Sequence, residues 1–269
     1  MTGEADSEVL QGGVANAGAV VRIGDVVFRP ANDHSPTIHA LLRHVRAAGF
    51  DGVPDPLAID PDGRERLSFI AGEVAFPPFP RWSQTDLFLA STASLLRRFH
   101  DATAGFVPPA GATWSDEMAD DAPSGSHQVF CHNDVCPENV VCRGGEAIAL
   151  LDFDFAAPGR RVFDLASLAI MCVPIEPPEN AAQTDRGGLD PFVRLRLVAD
   201  AYGLPPGRDE LIDVVGMKIA RGGEFVQRRV DAGEEAFIKM WHEYGGMARY
   251  DRRRAWFATH RQHFTDAVR

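Results

Sequence analysis

The chain has 269 residues, 45% of them hydrophobic and 24% charged, enough for one large domain or two lobes around a sizeable core. No apolar run reaches the length of a membrane span, and a formal net charge of −11 argues against nucleic acid as a partner, because phosphate backbones call for lysine and arginine. An acidic surface suits a cationic small substrate, although solubility is its simpler use.

In chain order, the acidic, polar start Met1 to Glu8 is unlike a signal or transit peptide, so a cytoplasmic protein with a frayed N-terminus is expected. Gln11 to Gly18 is small and glycine-rich, and such a turn lets backbone N–H groups approach phosphates. Ala19 to Ile23 and Val26 to Arg29 read as strands joined by Gly24-Asp25. Ser35 to Ala48 has apolar residues at Ile38, Leu41, Leu42 and Val45, the spacing of a helix, with Ser35 as its cap and Gly49 as its stop. Pro54 to Ile59 and Glu65 to Ile70 flank a Pro61-Asp62-Gly63-Arg64 turn. After a proline-rich loop, Ser83 to Ala104 reads as a long amphipathic helix, with Leu87, Leu89, Ala90, Ala93, Leu95, Leu96 and Phe99 as its core set.

Gly111 to Ser126 is a polar loop, and the stretch after it carries the chemistry. His132-Asn133-Asp134 is followed by Asn139, and an apolar strand, Ala147 to Leu151, then ends at Asp152. These are the parts of a phosphoryl-transfer site. Asp134 would orient and deprotonate a substrate hydroxyl. Asn139 and Asp152 would offer the oxygen ligands that a hard ion such as Mg2+ takes. The turn Arg143 to Glu146 between two strands would bring Asp152 back beside Asn139. Cys131, Cys136 and Cys142 crowd this loop, with Cys172 further on. Their spacings lack the paired pattern of structural zinc sites, so buried free thiols are expected. Helices are expected from Phe163, over Phe192 to Tyr202, over Asp209 to Gly222, and from Glu224 onward, with a loop over Pro174 to Gly188. No internal repeat is present.

These residues resemble the aminoglycoside phosphotransferase-like family of small-molecule kinases, which includes the choline kinase type. Its pattern H-G-D-x-x-x-x-N, a strand ending in L-D-F, and D-L-A is similar to His132-Asn133-Asp134, Asn139, Leu151-Asp152-Phe153 and Asp164-Leu165-Ala166. Ser68-Phe69-Ile70-Ala71-Gly72-Glu73 is similar to the family's hinge, and Leu95 to His100 to its L-x-x-L-H helix. The resemblance covers nearly the whole chain.

It implies an α+β, bilobal protein-kinase-like fold, with a small antiparallel-sheet N-lobe (1–70) and a larger helical C-lobe (71–269) meeting at a hinge near 68–74. It implies ATP or GTP with Mg2+ as cofactors, bound near Phe69, Ile70, Gly72 and Glu73, and Asn139 and Asp152 as metal ligands. Asp134 would be the catalytic base. His132 would be part of the catalytic loop, as a brace rather than a proton carrier, and Asp164 a structural carboxylate.

The activity implied is phosphorylation of a hydroxyl on a small, amine-bearing molecule, an antibiotic or a metabolite. The alternative is a nucleotide- or ligand-binding, immunity-like protein without turnover. Asp209, Glu210, Asp213, Glu234, Glu235 and Glu243 are the acidic residues available to meet an amine. No activation segment ending in A-P-E lies between Asp152 and Asp164, which argues against peptide kinases. The oligomeric state is not readable.

Two departures stand out. The usual phosphate-binding lysine position holds Arg29, and its usual glutamate partner position holds His39. Arg29 is expected to contact phosphate, but histidine is no ion-pair partner for arginine, so nucleotide binding must be organised differently or be weaker. Asp154 is either a second metal neighbour or solvated, and the latter is expected.

Overall fold

The computed structural model describes residues 7–10 and 20–269. The glycine-rich stretch, at 11–18, lies outside the described residues.

Five strands form one antiparallel sheet in the order β1-β2-β3-β5-β4. They are β1 (Ser7–Val9), β2 (Val21–Ile23), β3 (Val26–Pro30), β4 (Pro56–Ile59) and β5 (Arg64–Ser68), and α1 (Ser35–Ala47) connects β3 to β4. The strand at Ser7–Val9, in the stretch expected to fray, pairs with β2. β3 and β5 pair so that Arg29 lies opposite Glu65. Directly opposed side chains on one face of a sheet meet, so this register creates the contact discussed below.

The remainder is helical around two short hairpin-like pairs. α2 (Asp86–Ala102) is followed by β6 (Val129–Cys131), β7 (Val140–Arg143), β8 (Glu146–Leu150) and β9 (Ala157–Gly159). Then come α3 (Arg161–Cys172), α4 (Pro178–Ala182), α5 (Pro191–Tyr202), α6 (Asp209–Asp231), α7 (Glu235–Tyr244) and α8 (Gly246–Val268). β6 pairs with β9 and β7 with β8, all antiparallel. Among the described residues no helix is long and apolar enough to cross a membrane.

The expected helix over Ser83 to Ala104 divides. Arg81–Gln84 is a 3-10 turn, and Thr85 then caps α2, its hydroxyl accepting the N–H of Phe88 at 3.2 Å. The cap sets the face. Phe88, Leu89, Leu95, Leu96 and Phe99 are buried, whereas Leu87, assigned to the core from spacing, is 51% exposed. The expected break near Gly222 does not occur, and α6 runs through it. A Cβ at Gly223 would lie 3.0 Å from Tyr250 Cβ, so glycine there lets α8 close onto an unbroken helix. The loop over Pro174 to Gly188 contains the single-turn α4.

One glycine holds the sheet to the β7–β8 hairpin. Glu73 exchanges both backbone hydrogen bonds with Cys142 of β7, at 2.9 and 2.7 Å. For this approach Gly72 must lack a side chain, since a Cβ would lie 2.6 Å from the Cys142 carbonyl oxygen and 2.4 Å from Val141 Cγ1. Gly72→Ala is therefore expected to cost about 1–3 kcal/mol, read as a lowered urea midpoint at unchanged slope.

Candidate active site

The site is organised from beneath by Asp164, on the first turn of α3 and fully buried. Its Oδ2 accepts the His132 N–H at 2.6 Å and a bond from His100 Nε2 at 2.9 Å, while Oδ1 accepts the Asn133 N–H at 2.8 Å. Tyr202 holds the other His100 nitrogen at 2.7 Å. Burial alone would raise the Asp164 carboxyl. The His100 bond and charge, with the donors of His132, outweigh it and hold the group below the usual carboxylate range.

Above this brace the loop turns sharply. Asn133 has φ +68°, in the left-handed region that the family's glycine occupies freely and that asparagine tolerates better than most residues. Its Nδ2 donates to the Phe155 carbonyl at 2.9 Å, so the side chain pins the turn that its backbone makes.

His132 is buried with both ring nitrogens engaged. Nε2 donates to the Leu151 carbonyl at 2.8 Å, and Nδ1 accepts the Asp134 N–H at 3.3 Å. Burial pushes its pKa down, consistent with the neutral ring this pattern requires. Grouped with Asp134 in the catalytic loop on sequence grounds, His132 has no ring nitrogen left for substrate, and its part is to position the loop.

Asp134 and Asn139 are joined directly. Asn139 Nδ2 donates to Asp134 Oδ2 at 2.9 Å and to the Asp134 carbonyl at 3.0 Å. The Leu151 N–H donates to the Asn139 carbonyl at 2.8 Å. Leu151 is thus held by Asn139 on one side and His132 on the other, which fixes the next residue, Asp152, against the loop. Asp152 itself has φ +61°, a strained setting for a non-glycine residue. Burial, then the charges of Asp152 and Glu138, push the Asp134 carboxyl up to about 7.

The donor set suits Mg2+. With its amide nitrogen committed to Asp134, Asn139 has its side-chain oxygen left for a ligand, and Asp152 adds a carboxylate. A cation already sits against Asp152, the guanidinium of Arg29, with Nη1 3.0 Å from Asp152 Oδ1.

Arg29 departs from expectation in its partners. It is 7% exposed and reaches three carboxylates. Its Nε lies 2.9 Å from Glu65 Oε1, off the hydrogen-bond axis, while Nη1 meets Asp152 and Nη2 meets Asp154. Asp154, expected to be solvated, is paired. The acid that the helix lacks at His39 comes from β5. Glu65 neutralises Arg29 with one oxygen and engages His39 Nε2 at 2.8 Å with the other. Sequence reasoning missed Glu65, because its only signal was a charged residue in a strand whose register was unknown.

In the hinge, the Phe69 N–H is taken by the Asp25 carbonyl at 2.8 Å, and its ring lies under the Arg22 guanidinium at 3.7 Å. Glu73, expected to meet the cofactor, has both backbone groups committed to Cys142, so only its exposed side chain remains available. Among the described residues, the backbone groups of Ile70 and Gly72 have no protein partner.

Of the acidic residues proposed for an amine, Asp209, Glu210, Asp213 and Glu234 are paired with Arg269, Arg160, Arg261 and Arg229. Glu138, which sequence reasoning passed over, sits in the catalytic loop itself. Its Oε2 is buried without a hydrogen-bond partner among the described residues. All four cysteines are buried free thiols.

Asp164→Asn is expected to lower stability at neutral pH by about 2–4 kcal/mol, from lost charge-assisted bonds. Because the folded-state pKa is depressed, this contribution is complete above the unfolded value near 3.9 and is lost as pH falls through the folded value. Urea titrations of both proteins from pH 6 downward should show their stability gap narrowing only below about pH 4.

Known proteins resemble this chain in sequence and in fold. Residues 108–198 match the model of the phosphotransferase enzyme family. The trifolitoxin immunity protein of Rhizobium leguminosarum bv. trifolii is 36% identical over 188 residues, 69% of this chain and 70% of that protein. A choline/ethanolamine kinase family protein from Mesorhizobium loti superposes with a TM-score of 0.64 at 19% identity, over the whole of this chain and 94% of that one. The GDP complex of aminoglycoside 2'-phosphotransferase-IIIa gives 0.57 at 15% identity, over 93% and 92% of the two chains. The structural likenesses show the bilobal kinase-like fold, and the sequence likeness carries the relationship: the chain belongs to the phosphotransferase enzyme family.

Proposed function

We propose that the chain is a small-molecule kinase: an ATP- or GTP-dependent, Mg2+-requiring O-phosphotransferase acting on a hydroxyl of a small, amine-bearing molecule. The observation that carries this reading is the bonded Asp134–Asn139 pair with Asp152 stitched beside it through Leu151. A base and two oxygen ligands are held on one rigid frame, and phosphoryl transfer asks for little beyond alignment and charge neutralisation.

One oxygen of Asp134 is anchored by Asn139. The other is available to accept the hydrogen bond of the acceptor hydroxyl and, as the new O–P bond forms and the bond from the γ-phosphorus to the bridging oxygen breaks to release the nucleoside diphosphate, its proton. Asn139 and Asp152 would hold Mg2+, which supplies neutralisation of the charge on the phosphates. The nucleotide base would pair with the free backbone groups of Ile70 and Gly72.

The structural relatives are named for choline, ethanolamine and aminoglycosides, compounds that carry both a hydroxyl and a nitrogen cation. The unpartnered Glu138 oxygen beside the base suits such a cation. The proposal assigns the protein to the cytoplasm, where nucleoside triphosphates are made.

A second reading, binding without turnover, draws on the relative named as an immunity protein and on Arg29 lying against Asp152. The test is phosphate transfer from Mg-ATP or Mg-GTP across amino-alcohols, aminoglycosides, peptide antibiotics and nucleosides. Asp134→Asn should cut transfer about 10²- to 10⁴-fold while leaving nucleotide affinity nearly unchanged. Asp152→Ala should weaken Mg-nucleotide binding about 10- to 100-fold, measured by calorimetry. Native-level transfer by Asp134→Asn would remove Asp134 as base. Ligand binding with no transfer to any compound would favour the second reading.

A further inference from the structure

The sheet grips the acidic end of β8 through one side chain. Each nitrogen of Arg29 faces a different carboxylate: Glu65 on the neighbouring strand, and Asp152 and Asp154 more than a hundred residues away. Glu65 is 3% exposed and the Arg29 side chain 8%, whereas the side chains of Asp152 and Asp154 are 27% and 23% exposed. The cluster therefore has a buried half, Glu65 and Arg29, and a half that solvent reaches.

Two features set this apart from a plain structural ion pair. Glu65 alone would neutralise Arg29, so neither aspartate is needed to keep the guanidinium charged in its buried place. And one guanidinium against three carboxylates leaves two negative charges uncompensated, a deficit that matches one divalent cation. With all three nitrogens turned to carboxylates, Arg29 has no free edge for the two-point grip that arginine makes on phosphate. For a metal to settle on Asp152, it must share or take the carboxylate that Arg29 holds.

We propose that Arg29 is a built-in cation that competes with the divalent metal for Asp152 and Asp154, so that metal entry unlatches β3 from the Asp152–Asp154 turn and frees the guanidinium for a nucleotide phosphate. The identity of the metal and of the phosphate rests on the function proposed above, but the competition itself does not. His39 belongs to the same device. By holding the second oxygen of Glu65 it keeps that carboxylate beside Arg29, so the arginine stays anchored to the sheet when the aspartates let go.

The test uses the full chain and Mn2+ alone, without nucleotide, following the free-ion electron paramagnetic resonance signal. Arg29→Lys keeps the charge but offers one contact point, and Arg29→Met removes the charge. The dissociation constant for Mn2+ should fall about three-fold in Arg29→Lys and on the order of ten-fold or more in Arg29→Met. Unchanged or weaker Mn2+ binding in the folded variants overturns the proposal.

Arg29→Met strands Glu65 in a buried place, so circular dichroism must show it folded; if it is not, Arg29→Lys carries the test. Wild-type affinity in Asp152→Asn would place the Mn2+ elsewhere and equally overturn it. A second readout is amide exchange in β3, which should quicken in the wild type when Mn2+ is added. Unaltered protection there removes the unlatching step. None of these readouts needs nucleotide or turnover. Mn2+ competition in a chain that transfers no phosphate would support the latch while the proposed function fails.

Discussion

The loop that carries Asp134 stands on one buried carboxylate. Asp164 gathers two consecutive backbone N–H groups, of His132 and Asn133, and the His100 ring into a single point. A loop that turns through the left-handed region at Asn133 leaves inward-facing N–H groups that the strand ladder cannot satisfy, and a buried carboxylate is a strong way to satisfy two of them. His100 is drawn from α2 and Asp164 from α3, so the loop is referenced to the packing of two helices rather than to its own conformation. The rings above extend the same logic. Phe153 packs against His132 with centroids 4.5 Å apart and against Phe99 at 5.4 Å, tying the residue after Asp152 to the core of α2.

On that base the polar groups of the site form a continuous frame. His132 bonds Leu151, Leu151 bonds Asn139, and Asn139 bonds Asp134. Neither the Asp134 nor the Asp152 carboxylate can shift without disturbing the other. This is the arrangement that positioning chemistry requires, because misplacing groups by about 1 Å is costly in such reactions. The strained φ of Asp152 is held by these neighbours and by the Arg29 contact.

The other side of the cleft is held by charge. The sheet meets the helical part through the Glu73–Cys142 backbone pair and through Arg29, which faces Asp152. The ion pair usually formed between a strand lysine and a helix glutamate is redistributed. The cation is an arginine, the acid comes from β5, and the helix contributes a histidine. A guanidinium has three nitrogens to distribute where an ammonium is a single point, which lets one residue serve Glu65, Asp152 and Asp154 together.

Much of this was legible in the sequence. Asp134, Asn139 and Asp152 sit on a short loop and just past a strand end, where local spacing and the hairpin turn decide the geometry, so the residue pattern alone brought these three together, with Asp164 beneath them on the first turn of α3. The face of α2 was misjudged by one residue at Leu87, because the Thr85 cap, not the hydrophobic spacing, sets where the helix begins. The run of α6 through Gly222 and Gly223 was invisible too, since only the packing of Tyr250 explains it. The partners of Arg29 depend on a strand register and on the approach of two segments more than a hundred residues apart. Such contacts are fixed by tertiary packing, whose outcome no local pattern encodes, and that is why the sequence determined which polar groups gather around the Asp134 loop while the fold alone decided which charges hold them.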